Sequence, residues 1–462
     1  MTGKDTRDGA VDPATRQRWY AAYALLPGGL ARDVAFEVVG SRFVAVRPGA
    51  SPDATTRVLP GIALPGLANT HSHAFQRALR GRTHAGTGTF WTWRAAMYAL
   101  AARLDPESYY ALARAVYAEM VCAGITTVGE FHYLHHSRDG RPYSYPNAMS
   151  NALTRAAEDA GLRVTLLDTL YLSGGLGEQG HRRLDALQVR FSDPSADDWV
   201  RRTSRHRERD HVRVGLAVHS VRAVPRSWLS LVRDVAHNSV HAQVRGRPLP
   251  VHAHISEQPA ENDAALAYYG CTPTELFYDA GLLGPDFTAV HAIHLTERDV
   301  QLLGRGRVTV AFCPTTERDL ADGIAPAHEL LGAGTRLSLG TGQHGTIDMF
   351  EEARGLELHE RLVSGERGHL GLRALQSAMT AHDSLGWDDA GALRSGARAD
   401  LVMVDLDGPR TAGILPEQVV MTATSADVTD VAVDGTFVVQ DRRHRLGDVG
   451  RLLSEAIAPL WA

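Results

Sequence analysis

From about residue 64 onward, short apolar runs rich in β-branched residues alternate with longer stretches whose apolar positions recur every three to four residues. Eight such runs stand out, at residues 64–69, 126–131, 164–170, 212–219, 249–255, 288–293, 308–313 and 336–340. Between them lie helical patterns at 93–121, 147–160, 197–209, 226–237, 258–269, 296–303 and 318–331. Near-continuous apolar strands separated by helices predict parallel pairing with both sheet faces covered. Eight such units close a (β/α)8 TIM barrel, an α/β fold whose chemistry sits at the C-terminal ends of the strands.

On either side of this span the pattern is β. Residues 19–26, 33–39 and 42–47 read as short strands broken by Pro27-Gly28-Gly29 and Gly40-Ser41. After helices at 350–363 and 372–381, alternating strands return at 399–404 and 428–439, the latter with a hairpin-like turn at Val433-Asp434-Gly435-Thr436. The expected organisation is a composite β-sandwich-like domain from residues 1–62 and 385–448, a barrel from 63–384 and a C-terminal helix at 449–462.

Composition narrows the function classes. A hydrophobic share of 44% and a charged share of 22% are those of a soluble globular chain, and a net charge of −5 provides no field to attract nucleic acid or anionic lipid. Lys4 is the only lysine. The three cysteines, Cys122, Cys271 and Cys313, have no C-x-x-C spacing, which fits a reducing compartment. The first 18 residues lack the apolar core of a signal peptide, and no apolar run approaches the ~20 residues of a membrane helix. The expectation is a cytoplasmic protein acting on a small molecule. The C-terminal Leu460-Trp461 fits a homodimer contact and fits equally a helix docked on its own barrel.

The candidate chemistry collects at the strand ends. The first barrel run leads into Asn69-Thr70-His71-Ser72-His73, and residues i and i+2 of a strand share a face, so the two imidazoles can share a metal ion. The fifth run ends at His254, with Glu257 three residues on, and the sixth ends at His291. Three neutral imidazoles with an open position suit a catalytic divalent ion, zinc first, while Fe, Mn or Co are also admitted by such ligands. Glu257 is placed to relay a proton to a leaving nitrogen, and His291 to stabilise developing charge.

Long blocks of the chain resemble the amidohydrolase superfamily and, within it, the formimidoylglutamate deiminases. They are His71-Ser72-His73-Ala74-Phe75-Gln76-Arg77-Ala78, Phe90-Trp91-Thr92-Trp93-Arg94, Gly129-Glu130-Phe131-His132-Tyr133-Leu134-His135-His136, His219-Ser220-Val221-Arg222-Ala223-Val224, His254-Ile255-Ser256-Glu257-Gln258 and Cys313-Pro314-Thr315-Thr316-Glu317. The resemblance implies that His71, His73 and His254 bind the metal and that Glu257 and His291 are catalytic. It implies that Gln76, Arg94, Tyr133, His219 and Arg222 hold a carboxylate-bearing substrate. A guanidinium grips a carboxylate in two parallel hydrogen bonds, which suits Arg222 to that task. Phe90, Trp91 and Trp93 are candidates for the pocket wall.

The eighth strand departs from this pattern. Where the family carries Gly-Ser-Asp-Ser-His, this chain has Gly340-Thr341-Gly342-Gln343-His344. The resemblance implies that the missing aspartate touches the metal and takes a proton from the attacking water. Gly342 does neither, and Asp348 lies six residues further on, at the next helix. The expectation is therefore changed chemistry: intramolecular attack on a metal-polarised carbonyl with loss of water, as in benzoxazole formation from an aromatic amino/hydroxy ester. In this the chain is similar to the benzoxazole-forming amidohydrolase-like enzymes of natural-product pathways. The alternative is hydrolytic deimination of N-formimidoyl-L-glutamate, and the third reading is a non-catalytic binding protein.

Overall fold

The computed structural model describes residues 16–84 and 87–462. The reading of the N-terminal segment as lacking a signal peptide falls largely on residues 1–15, outside those described. All eight predicted barrel strands are present: Leu67–Ser72, Ile125–His132, Arg163–Leu170, Val212–Val218, Val251–Ile255, Phe287–His291, Thr309–Phe312 and Arg336–Leu339. They pair in chain order, every neighbour parallel. Their side chains are almost wholly buried, those inside the ring against one another and those outside against the helices.

Closure between the first and eighth strands happens just past the eighth. The amides of Thr341 and Gly342 both donate to the carbonyl of His71 at 3.1 Å, and the amide of His73 donates to the carbonyl of Gly342 at 3.2 Å. Asn69 clamps the same junction, its amide nitrogen donating to Thr341 Oγ1 at 2.7 Å and its carbonyl oxygen accepting from Thr341 N at 3.0 Å. Gly340 is what allows this approach: a Cβ there would lie 2.7 Å from the Cβ of His71 and 2.8 Å from its carbonyl oxygen.

A second eight-stranded sheet is built from both ends of the chain. Arg16–Leu26, Gly29–Val39, Arg42–Arg47 and Arg57–Pro65 come from the N-terminal side, and Leu401–Val404, Val428–Val433, Thr436–Gln440 and Arg443–His444 from the C-terminal side. The two halves join where Arg57–Pro65 pairs antiparallel with Leu401–Val404. Trp19, Phe36, Phe43 and Met403 form the core of this unit. The strand at Arg57–Pro65 is absent from the sequence reading, which began the barrel at residue 64. The chain instead runs from this sheet into the barrel through Gly66 alone, so one apolar run serves two sheets.

Helix boundaries differ where capping residues break a continuous pattern. The stretch read as one helix at 93–121 is two, Phe90–Ala101 and Pro106–Cys122, because Asp105 accepts from Ser108 N and Pro106 opens a new first turn. The stretch at 318–331 is also two helices, Pro314–Leu320 and Ala327–Ala333, separated where Ala321 takes a left-handed φ of 56°. The helix expected at 197–209 ends at Thr203, because Arg202 and His206 turn inward to a buried carboxylate. The final helix, Val449–Ile457, gives way to a 3-10 turn at Ala458–Leu460. Its tail docks on its own barrel: Trp461 Nε1 donates to Ala78 O at 3.1 Å, and the guanidinium of Arg82 lies 4.9 Å above the indole. Among the described residues no helix is long and apolar enough to cross a membrane.

The carboxylate that shortens the 197–209 helix is Asp168, on the third barrel strand and fully buried. Arg202 donates to both of its oxygens, at 2.6 and 2.9 Å, His206 Nε2 lies 2.6 Å away and Trp199 Nε1 donates at 3.0 Å. Burial alone would raise this carboxyl, but Arg202, His135 and His206 overcome it and hold the group well below the usual carboxylate range. A depressed folded-state pKa stabilises the fold above the ordinary carboxylate value of about 3.9 and ceases to do so as pH falls through the folded value. We therefore expect Asp168→Asn, which removes one of the two buried carboxylates that Arg202 holds and leaves it Asp193, to cost about 2–3 kcal/mol in urea unfolding at neutral pH. The gap between variant and parent should narrow as pH is lowered below about 4. A pH-independent gap would show that the loss is steric and not ionic.

Candidate active site

The C-terminal ends of the barrel strands surround one cavity. At its floor the imidazoles of His71, His73 and His254 converge, with one ring nitrogen from each within 4.8 Å of the others. Two of the rings have their tautomer set by the backbone. His73 Nδ1 lies 3.1 Å from Phe131 O, and His254 Nδ1 lies 2.8 Å from His219 O. A carbonyl only accepts, so each Nδ1 carries the proton and each Nε2 presents a lone pair to the centre. His254 Nε2 and His71 Nε2 face each other at 3.2 Å, and His71 Nδ1 is buried with no hydrogen-bond partner among the described residues.

Charge state fits the same role. Burial first, then the neighbouring imidazoles, drives His71 and His254 well below the ordinary histidine value, and burial chiefly brings His73 to about 4. Three neutral imidazoles with lone pairs at one point are the donor set that a divalent cation requires. The residues present fit such an ion, and among the described residues no other cluster of this kind occurs.

Glu257 and His291 stand beside this cluster. The strand ends are level, with Ile255 opposite His291, so the fifth and sixth strands deliver both residues to one place. His291 Nε2 lies 3.6 Å from Glu257 Oε1, and His291 Nδ1 lies 3.1 Å from Glu317 Oε1. Burial would lower the imidazole of His291, but its bond to Glu317 and the charge of Glu257 outweigh it and raise the group to about 9. His291 also has φ 69°, a left-handed conformation that costs a non-glycine residue energy and that recurs at functional positions. Burial opposes ionisation of Glu257, yet Arg222 and His291 win and lower it. Glu257 sits in the turn ahead of the helix Pro259–Tyr269 and not in its first turn.

All five predicted substrate-side residues line the cavity. Arg222 donates to Glu257 Oε2 at 2.6 Å and lies 3.7 Å from Glu261. Arg94 donates to Tyr98 OH at 2.7 Å, Gln76 donates to Tyr133 OH at 3.0 Å, and His219 Nδ1 lies 3.1 Å from Ser220 Oγ. Of the three aromatics read as wall candidates, Phe90 and Trp93 line the cavity, whereas Trp91 is 45% exposed. Helical spacing is the reason: Phe90, Trp93, Arg94, Met97 and Tyr98 share one face, and Trp91 is turned off it. Tyr98, Tyr171, Thr316 and Gln343 also line the cavity without having been singled out from sequence. The i, i+4 spacing of Arg94 and Tyr98 was a signal that could have found Tyr98. Glu317, in the quoted Cys313 block, could have been found as the partner of His291.

Gly342 is at the cavity wall with φ 48°. A Cβ there would lie 2.5 Å from Thr316 Oγ1 and 3.1 Å from Thr316 Cβ, so Thr316 occupies the space next to the missing side chain. Asp348 does not replace it. That carboxylate caps the helix Met349–Ser364, accepting from Phe350 N at 3.0 Å, Glu351 N at 3.1 Å and, through its other oxygen, Ser425 N at 2.8 Å. Behind the wall His344 joins a buried chain, its Nδ1 2.8 Å from Thr341 Oγ1 and its Nε2 3.1 Å from Ser72 Oγ, which donates to Glu130 at 2.6 Å.

Known proteins resemble this chain over most of its length. The amidohydrolase family model matches residues 62–438. A formimidoylglutamate deiminase of Pseudomonas aeruginosa is 36% identical over 443 residues, spanning 92% of this chain and 95% of its own. The crystal structure of an amidohydrolase from Brucella melitensis superposes with a TM-score of 0.87 at 30% identity, covering 96% of this chain and all of that one. An adenosine deaminase from Xanthomonas campestris, solved with bound zinc, has a TM-score of 0.78 at 24% identity over 95% of this chain and 96% of its own, which supports the fold.

Proposed function

This chain belongs to the amidohydrolase family, and from that premise we propose that it hydrolyses an amidine-type C–N bond in a small carboxylate-bearing substrate such as N-formimidoyl-L-glutamate. One observation carries the reading: a single cavity brings together the three-histidine cluster, the Glu257–His291 pair and two guanidinium groups, Arg94 and Arg222. His71, His73 and His254 would hold one divalent ion, zinc first among the candidates with Fe, Mn or Co admitted by the same donors. When bound, such an ion supplies Lewis-acid polarisation of the reacting carbon and eases the ionisation of water.

The protein's own groups do the rest. Arg222, Arg94, Gln76, Tyr133 and His219 bind and orient the substrate, the guanidinium groups by charge-assisted bonds to its carboxylates. Glu257, ionised beside Arg222, accepts a proton from the attacking water and returns it to the departing nitrogen, then relays the adduct's hydroxyl proton to the same nitrogen as the carbonyl forms. The water oxygen bonds to the formimidoyl carbon, the C–N bond breaks, and ammonia leaves an N-formyl product. His291, between Glu257 and Glu317, stabilises negative charge as it develops.

A second reading rests on Gly342. With no carboxylate at the eighth strand, a nucleophile carried by the substrate itself gains on water, because proximity replaces activation. Attack by an aromatic hydroxyl or amine on a neighbouring carbonyl, followed by loss of water, would close a ring such as a benzoxazole. The experiment is to incubate the zinc-loaded protein with N-formimidoyl-L-glutamate and, separately, with a 3-hydroxyanthranilate-type aryl ester, assaying ammonia and cyclised product. Ammonia release is the expected result. Cyclised product alone would install the second reading, and neither product would leave a binding protein.

A further inference from the structure

Gln343 follows Gly342 and is 5% exposed, yet it lines the cavity. Its amide group has a fixed orientation. Gln343 Nε2 donates to Asp319 Oδ2, and the other oxygen of Asp319 lies 2.8 Å from His84 Nε2. A carboxylate only accepts, so the NH2 end of the glutamine must face it and the carbonyl end must face away. Among the described residues Gln343 Oε1 takes no hydrogen bond, while the backbone amide of Gln343 is satisfied by Thr316 Oγ1 at 3.2 Å. An acceptor that keeps accessible surface and has no protein partner, on a residue that lines the site, can take a hydrogen bond from a ligand.

We propose that Gln343, aligned by Asp319, is a substrate-binding residue whose side-chain carbonyl accepts a hydrogen bond from an N–H or O–H donor adjacent to the reacting carbon. The substrate class this selects is one bearing an amidine, amine or hydroxyl there, against one bearing only a carbonyl or carboxylate oxygen. Gly342 makes the choice consistent: a neutral acceptor stands next to the position that has no side chain, so donors are met without a second negative charge. His84 and Asp319 are positioning residues, since they act on the ligand only through the amide.

The inference rests on the proposed reaction for its choice of probes, N-formimidoyl-L-glutamate and N-formyl-L-glutamate. These differ in presenting an N–H donor or a carbonyl oxygen at one position. Affinity is read as KM where a compound turns over and as Kd where it does not. Gln343→Leu is expected to weaken the formimidoyl compound about tenfold while leaving the formyl compound within about twofold. Asp319→Asn, nearly isosteric and able to pair with either end of the amide, should shift the ratio the same way with Gln343 intact. An unchanged ratio in both variants overturns the inference and leaves the proposed reaction standing. A Gln343-dependent ratio without ammonia release overturns the reaction and leaves the acceptor role standing. No affinity for either compound overturns both.

Discussion

Replacing His254 with alanine is expected to remove the bound divalent ion and to lower kcat/KM on whichever substrate turns over by roughly 10³–10⁴-fold. The size follows from the several kcal/mol that a Lewis acid contributes to the transition state, at about 1.36 kcal/mol per factor of ten. Of the three proposed ligands, His254 has most resting on it. Its Nδ1 is fixed by the carbonyl of His219, its Nε2 faces His71 at 3.2 Å, and its ring stacks on His291 with centroids 5.6 Å apart. The matched control is His252, two residues upstream on the same strand and fully buried, with Nε2 3.4 Å from Ser384 O. His252→Ala should keep its metal. The check is metal content by elemental analysis alongside kinetics, with circular dichroism to confirm that both variants fold. Full metal occupancy and activity in His254→Ala would remove this cluster from the mechanism.

That pair of histidines also shows what the sequence could and could not reveal. His71 and His73 share H-x-H spacing with His252 and His254, yet both members of the first pair join the cluster and only one of the second does. Two residues along a strand are about 7 Å. The spacing places the imidazoles on one face but does not say which of them reaches the strand's end. The barrel was legible because eight apolar runs and their intervening helices repeat one pattern, and each run lies at an observed strand. The entry strand Arg57–Pro65 was not, because Gly66 alone separates it from the first barrel strand and the apolar pattern runs through the junction. The places of Glu257, His291 and the five substrate-side residues in one cavity accord with motif resemblance. Thr316 and Gln343 matter through what they meet across the barrel seam, and no local pattern encodes that meeting.

The proposed weight of Gly342 in the chemistry can be tested by placing a carboxylate there, which takes more than one substitution. Gly342→Asp alone meets two obstacles: a left-handed backbone at φ 48°, worth roughly 1–2 kcal/mol against a side chain, and Thr316 Oγ1 at 2.5 Å from the new Cβ. We expect the single variant to be destabilised, with Thr316 pushed from its bond to Thr341 O. Thr316→Ala removes the hydroxyl and the methyl that close the space, leaving its Cβ at 3.1 Å as the remaining tight contact. The double variant Gly342→Asp/Thr316→Ala should therefore fold better than the single one and carry a base at the eighth strand end. If Glu257 now works without such a partner, adding one should raise the rate of ammonia release from N-formimidoyl-L-glutamate by about 10²–10⁴-fold. If the native reaction is ring closure, hydrolysis should rise at the expense of the cyclised product, because water becomes the better-activated nucleophile. Both outcomes make Gly342 the switch. Unchanged rates and product ratios in a folded double variant would mean that the Glu257–His291 pair alone determines how protons move, and that the glycine is a consequence of the Thr316 packing.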